Sequence, residues 1–225
     1  MFCSFANMKI NYSAKYILLL FFLINQSGIC LAQNSDSIRV MAGKNIPERI
    51  KDQVYETLQF YPELIDTKID FVFTKNIRKS FMQAQPNIKD IFKRKENRSY
   101  KVKITPELQL TNGSIPVEEL PHDVLIGWLA HELGHIMDYK DRSCINMLGF
   151  GLSYTLNKTF LMSSEQTADI YAINHGLGRM VKKTKEFILT RSDIPEDYRE
   201  RIRELYLSPE EVMVIIEKEN DITTD

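Results

Sequence analysis

Two histidines and a glutamate stand together in the segment His131-Glu132-Leu133-Gly134-His135. On a helix, four residues amount to about 40° of rotation and roughly 6 Å of rise. His131 and His135 then project from one face, where both imidazoles can meet on a single metal ion. Glu132 is turned about 100° away from His131. That puts it beside the open position of the ion and outside the ligand set. A carboxylate there can take a proton from water as the water attacks a carbonyl. The chemistry implied is hydrolysis, with Zn2+ as the cofactor and Glu132 as the general base.

The surroundings sharpen this expectation. Val124, Leu125, Ile126, Trp128, Leu129, Leu133, Ile136 and Met137 cover most of the circumference of the same helix, which predicts burial. Buried histidines and glutamates are costly without partners, and metal coordination removes that cost. Half of the four histidines of the chain are used here. Gly134 is about 1 kcal/mol worse than alanine inside a helix. It predicts a neighbouring segment in close approach.

A catalytic zinc usually has three protein ligands. Glu165, in Ser163-Ser164-Glu165-Gln166-Thr167-Ala168-Asp169, is the leading third donor. Ser163 with Gln166 reads as the cap of a new helix. Asp169 lies one turn beyond Glu165 and can hold the outer nitrogen of a ligand histidine. Ala168 is small enough for this helix to pack closely on the motif helix. The plain alternative for Glu165 is an exposed first-turn glutamate favoured by the helix dipole. A donor to the developing oxyanion is also needed. Tyr171, Tyr154 and His175 are the candidates, and His175 joins Glu132 as the second catalytic expectation. His175 can equally be read as a helix-end residue meeting the dipole.

HELGH followed 30 residues later by the E-x-x-A-D helix of Glu165 and Asp169 resembles the gluzincin metallopeptidases, in particular compact, minigluzincin-like members. The resemblance runs from about residue 121 to 175. It implies a zincin-like fold and peptide-bond hydrolysis, with a peptide or protein as substrate. It assigns zinc to His131, His135 and Glu165, the general base to Glu132, and support of a histidine to Asp169. It also implies an upstream strand that pairs with extended substrate, for which residues 100–105 are the candidate. Metzincin-like sites offer a rival third ligand, Asp141. There, however, Asp138 replaces the glycine that would turn the chain. The second functional reading is an exported zinc-binding protein whose site is structural or inactive, with Cys144 and Asp138 near enough in sequence to contribute.

The elements that must position these groups read as α+β. Ile50, Val54, Leu58 and Tyr61 recur at helical spacing over residues 47–61. Residues 68–74 and 100–105 alternate as strands, the second closed by Pro106. Residues 77–97 are ambiguous between helix and strand, and Pro86 breaks them. Asn112-Gly113 marks a turn. One helix is expected from Pro121 to about Tyr139, another within residues 145–160, then helices from Ser163, over 179–190 and from Pro195. Ser208-Pro209-Glu210-Glu211 reads as a capping box opening the last. The expected architecture is a small zincin-like domain over residues 33–225, with a few-stranded sheet in the N-terminal half. The C-terminal half is expected to be mainly helical and to include the HExxH helix.

Residues 1–32 read as a secretory signal peptide. Lys9 and Lys15 precede an apolar run over 16–24, and small residues near Ala32 fit a cleavage site. The expected location is periplasmic or secreted, with no stable membrane anchor after cleavage. The alternative is an uncleaved anchor, for which the apolar run is short. Cleavage would leave Cys144 as the one cysteine, so the fold must rest on its core. A net charge of −1 and 44% hydrophobic content describe an ordinary globular chain with no strong electrostatic pull toward nucleic acid or anionic membrane. Lys93-Arg94-Lys95 and Lys182-Lys183 read as solvated surface.

Overall fold

A computed structural model describes residues 39–77, 80–144 and 157–223. The expected signal peptide, Tyr154 and most of the helix expected within 145–160 lie outside them. The chain divides into two units, Met1–Arg39 and Val40–Asp225. The second holds everything that follows. Among the described residues, no helix is long and apolar enough to cross a membrane.

The architecture is α+β, with a small mixed sheet in the N-terminal half and helices through the C-terminal half. A short 3-10 turn leads into α1, Lys51–Gln59. Ile50, Val54, Leu58 and Tyr61 are all buried, as their spacing requires. Strands β1 (Lys44–Asn45), β2 (Lys68–Phe73), β3 (Met82–Pro86) and β4 (Ser99–Ile104) form a sheet in the order β1-β2-β4-β3. β1 and β4 run parallel to β2, and β3 runs antiparallel to β4. Ile69, Phe71, Met82, Ala84, Tyr100, Val102 and Ile104 point into the core. The alternate positions, Lys68, Gln83, Lys101 and Lys103 among them, are left to the other face. β5 (Glu107–Leu110) and β6 (Gly113–Pro116) form a hairpin around the Asn112-Gly113 turn.

Two expectations need correction here. First, residues 77–97 contain a strand, β3, at the edge of the sheet. Its Met-Gln-Ala-Gln-Pro sequence is weak in strand formers. Pro86 is tolerated because of the register. Thr105 N–H donates to the Phe81 carbonyl, and Asn87 N–H donates to the Ser99 carbonyl. Antiparallel pairs alternate, so Pro86, opposite Tyr100, occupies a position where no ladder N–H is needed. Second, β4 is interior, flanked by β2 and β3. Residues 100–105 therefore present no free edge, and the edge nearest the motif helix is β3.

The motif helix α2 spans His122–Asp141, and every residue from Val124 to Tyr139 is buried. It is the central element. The sheet and α1 lie against one side of it. α3 (Lys158–Ala172) and α4 (Gly178–Thr190) lie against the other. α5 (Glu196–Leu205) and α6 (Pro209–Thr223) complete the helical half. In the capping box of α6, Ser208 N–H donates to Glu211 Oε2 at 2.7 Å. Glu211 N–H donates to Ser208 Oγ at 3.1 Å. α3 begins five residues before Ser163, where Asn157 Oδ1 accepts from Phe160 N–H at 3.1 Å. Glu165 is thus an interior residue of a longer helix, which removes the dipole reading. A turn at Gly176, with φ of 80°, separates α3 from α4.

Two glycines set how closely these helices meet. A Cβ on Gly134 would lie 2.3 Å from the Ala168 carbonyl oxygen, and one on Gly127 would lie 2.3 Å from the Met180 carbonyl oxygen. α3 and α4 therefore rest directly on the backbone of α2. Gly134→Ala should destabilise the fold by about 1–3 kcal/mol through overpacking. Helix propensity alone would give a gain of about 1 kcal/mol. Urea unfolding of the variant distinguishes the two signs, and a gain would mean the helices are not in backbone contact.

Candidate metal centre

The close contact of α2 and α3 sets Glu165 against the two motif histidines. His131 Nε2 lies 3.1 Å and His135 Nε2 3.2 Å from Glu165 Oε2. One ligand atom from each of the three side chains lies within 4.8 Å of the others, and all three are buried. This group could hold a metal ion. Asp169 Oδ1 accepts from His131 Nδ1 at 2.9 Å, which fixes the tautomer and leaves Nε2 for the cluster. His135 Nδ1 is buried with no hydrogen-bond partner among the described residues.

Electrostatics hold the group together. Burial pushes the His131 imidazole toward the neutral form, but the bonds to Asp169 and Glu165 outweigh it and raise its pKa to about 10. Burial pushes Glu165 up, yet the two histidines hold it well below the usual carboxylate range. Asp169 is likewise lowered against its burial, through the charge of Lys185 and the bond to His131. Glu132 goes the other way. Burial raises it, Glu165 adds to the rise, and the histidines only partly oppose it. A raised carboxyl is a better proton acceptor near neutral pH. Glu132 accepts a hydrogen bond from Ala84 N–H of β3, so the edge strand orients it.

Several partners escaped the sequence reading. Lys185 of α4 is 4% exposed and donates to Asp169 Oδ2 at 2.8 Å. It stands on the apolar stripe with Val181 and Ile188, and a lysine at that spacing was the signal available. Leu207 N–H also donates to Asp169 Oδ2. The Tyr206 ring lies 5.3 Å from the His131 ring and 4.8 Å from Lys185 Nζ. Arg201 Nη2 stands 3.7 Å from Glu165 Oε1. A cavity opens on His131 and Glu132, walled by Met82, Tyr198, Ile202 and Tyr206. Its 30 Å³ exceeds the ~10–15 Å³ that one water needs. Through Ser80 and Tyr198 it adjoins a groove of 530 Å³ between β5 and the start of α5.

The remaining candidates lie elsewhere. His175, expected as the oxyanion donor, is not in the group. Ten residues after Glu165 means roughly 15 Å of rise and a different helix face. Its Nδ1 donates to the Tyr171 carbonyl at 2.7 Å, its Nε2 faces Glu63 at 3.3 Å, and its ring stacks on Tyr61. Tyr171 donates to Asp141 Oδ2 at 3.0 Å, so both side chains are engaged with each other. Asp138 is paired with Arg142. His122 sits exposed at the start of α2, beside Glu56. Cys144 is outside the group as well.

No protein-family model, curated protein or solved structure matches the chain. The chemistry of the site is therefore read from its own residues.

Glu165→Ala should abolish stoichiometric divalent metal, while Asp141→Ala should retain it. Asp169→Asn should weaken metal affinity by about 10–100-fold. Elemental analysis and competition with a chelating dye measure these. Metal retained in Glu165→Ala and lost in Asp141→Ala would transfer the third ligand to the end of α2.

Proposed function

We propose that this chain is an exported zinc-dependent metallopeptidase of gluzincin type, built on a small zincin-like fold. The observation that carries the reading is the pairing of a three-donor cluster with a separate, buried carboxylate of raised pKa. Zinc takes nitrogen and carboxylate donors at about 2.0–2.2 Å. A tetrahedral site with such bonds has edges of about 3.3 Å, close to the 3.1 and 3.2 Å between Glu165 Oε2 and the two imidazoles. Two imidazoles with one carboxylate also form a known catalytic zinc donor set. A structural zinc site would want a fourth protein donor. Among the described residues the group has three, and a cavity lined by His131 and Glu132 lies beside it.

Zinc held there supplies Lewis acidity, which makes water acidic enough to ionise near neutral pH and polarises a carbonyl. Each residue then has a task. His131 is oriented by Asp169, whose second oxygen is held by Lys185 and the Leu207 N–H. Glu132 takes the proton of the attacking water and delivers it to the leaving amine. Ala84 N–H keeps that carboxylate aimed while it is ionised. Ala84 is engaged by α2 and Pro86 has no N–H, so an extended peptide can pair with the β3 edge at Met82. By the alternation of the ladder, the peptide groups of Met82 face outward, beside the cavity.

Glu132→Gln preserves size and hydrogen bonding and removes the base. The full-length variant should keep one zinc per chain and lose about 10²–10⁴-fold in peptide-library hydrolysis. Wild-type turnover by this variant would falsify the assignment. Zinc bound by a wild-type chain that cleaves no peptide would favour the zinc-binding, non-peptidase reading.

A further inference from the structure

The connection between β3 and β4 carries a surface that the metal site does not use. Ile88 is 77% exposed and Phe92 75% exposed. They stand four residues apart, around the 3-10 turn Ile88–Asp90. Side chains so exposed project from the surface and do not line a groove. The loop that presents them is well held. Ile91, between them, is buried as an anchor. Asn87 Nδ2 donates to Ser99 Oγ at 2.7 Å, and Ser99 Oγ donates in turn to Asp90 Oδ2. Arg98 donates to the Lys93 and Arg142 carbonyls. The exposure of two large apolar side chains is thus built into the loop.

The charge around the tip is equally uneven. Residues 88–98 hold five basic and two acidic residues in a chain whose net charge is −1. Lys93 is paired with Asp90, and Lys95 donates to the Asp141 carbonyl. Lys89 and Arg94 are exposed and in no ion pair among the described residues. An apolar tip within a basic collar fits the boundary of an anionic bilayer, where aliphatic and aromatic groups enter the acyl region and cations meet headgroups. A nucleic acid fits less well, because isoleucine offers no π-face to a base.

We propose that residues 87–98 form a membrane-docking loop, in which Ile88 and Phe92 insert into an anionic lipid surface and Lys89, Arg94 and Lys95 contact its headgroups. Docking is reversible and independent of any anchor, since two side chains and a few charges are a small membrane-binding element.

The test uses the full chain bearing Phe92→Trp, with vesicles of phosphatidylcholine alone or mixed with phosphatidylglycerol. Whatever residues 1–38 contribute is common to all variants, and the introduced indole reports on the loop itself. Trp128 is buried and supplies a constant background. The expected result is a blue shift with the anionic vesicles that is quenched by brominated lipid and weakened by salt. Ile88→Ser with Phe92→Ser should lower vesicle partitioning roughly tenfold, as should Lys89→Glu with Arg94→Glu. Both double variants should unfold at the wild-type temperature. Emission that stays at the solvent-exposed wavelength on anionic vesicles overturns the proposal. So does an equal response to neutral vesicles.

Discussion

The site depends on a backbone contact. Gly134 lies one residue before His135, and the Ala168 carbonyl one residue before Asp169 meets it where any Cβ would stand. Only at that separation can one carboxylate oxygen lie within 3.2 Å of two imidazoles on the neighbouring helix. The Gly127 contact repeats the device about two turns earlier and brings in α4, with Thr184 Oγ donating to the Val124 carbonyl at 2.8 Å. α4 in turn delivers Lys185 to Asp169. The two small-residue contacts on α2 thus determine both the donor cluster and the charge behind it.

Burial at this depth imposes a second constraint. Glu132, His131, His135, Glu165, Asp169 and Lys185 are all at most 7% exposed. An isolated charge there would cost several kcal/mol, and a paired one is tolerated only with good geometry and further hydrogen bonds. Asp169 meets that condition, with three donors from three segments of the chain. Glu165 meets it through the histidines. Glu132 has Ala84 N–H and no cation in hydrogen bond, and it alone among these carboxyls is raised. Glu165 and Asp169 are thus held ionised against their burial, while Glu132 is raised toward its protonated form.

What the chain reveals by itself follows from where the physics is local. The spacing of His131 and His135, the glycine between them, the reciprocal cap at Ser208 and the alternation in β2 and β4 are one-segment properties, and they can be read directly. Glu165 was reachable because the donor count of a metal demands a third ligand. β3 was hidden, since its strand character comes from pairing with β4 and from the register that spares Pro86. Lys185 was hidden because its partner lies 16 residues away on another helix. The start of α3 is not a one-segment property, because Ser163 and Asn157 both suit a cap and the bond from Phe160 N–H to the Asn157 carboxamide decides between them. That β4 has no open side is likewise decided by strand order, which no single segment encodes.

β3 joins the two surfaces on which function is proposed. Its first residue, Met82, walls the metal cavity, and its last, Pro86, is followed at once by the loop of Ile88 and Phe92. Four strand steps span about 13 Å. With the loop seated at a bilayer, Glu132 and the cluster would stand one short strand from the lipid surface. That distance suits a peptide bond close to a membrane better than one deep in a folded domain. Between them, the outward peptide groups of Ala84 are held by α2, its N–H by Glu132 and its carbonyl by the Tyr139 hydroxyl. The selectivity of such a site would come from which backbones reach that edge, a constraint of position rather than of side-chain recognition.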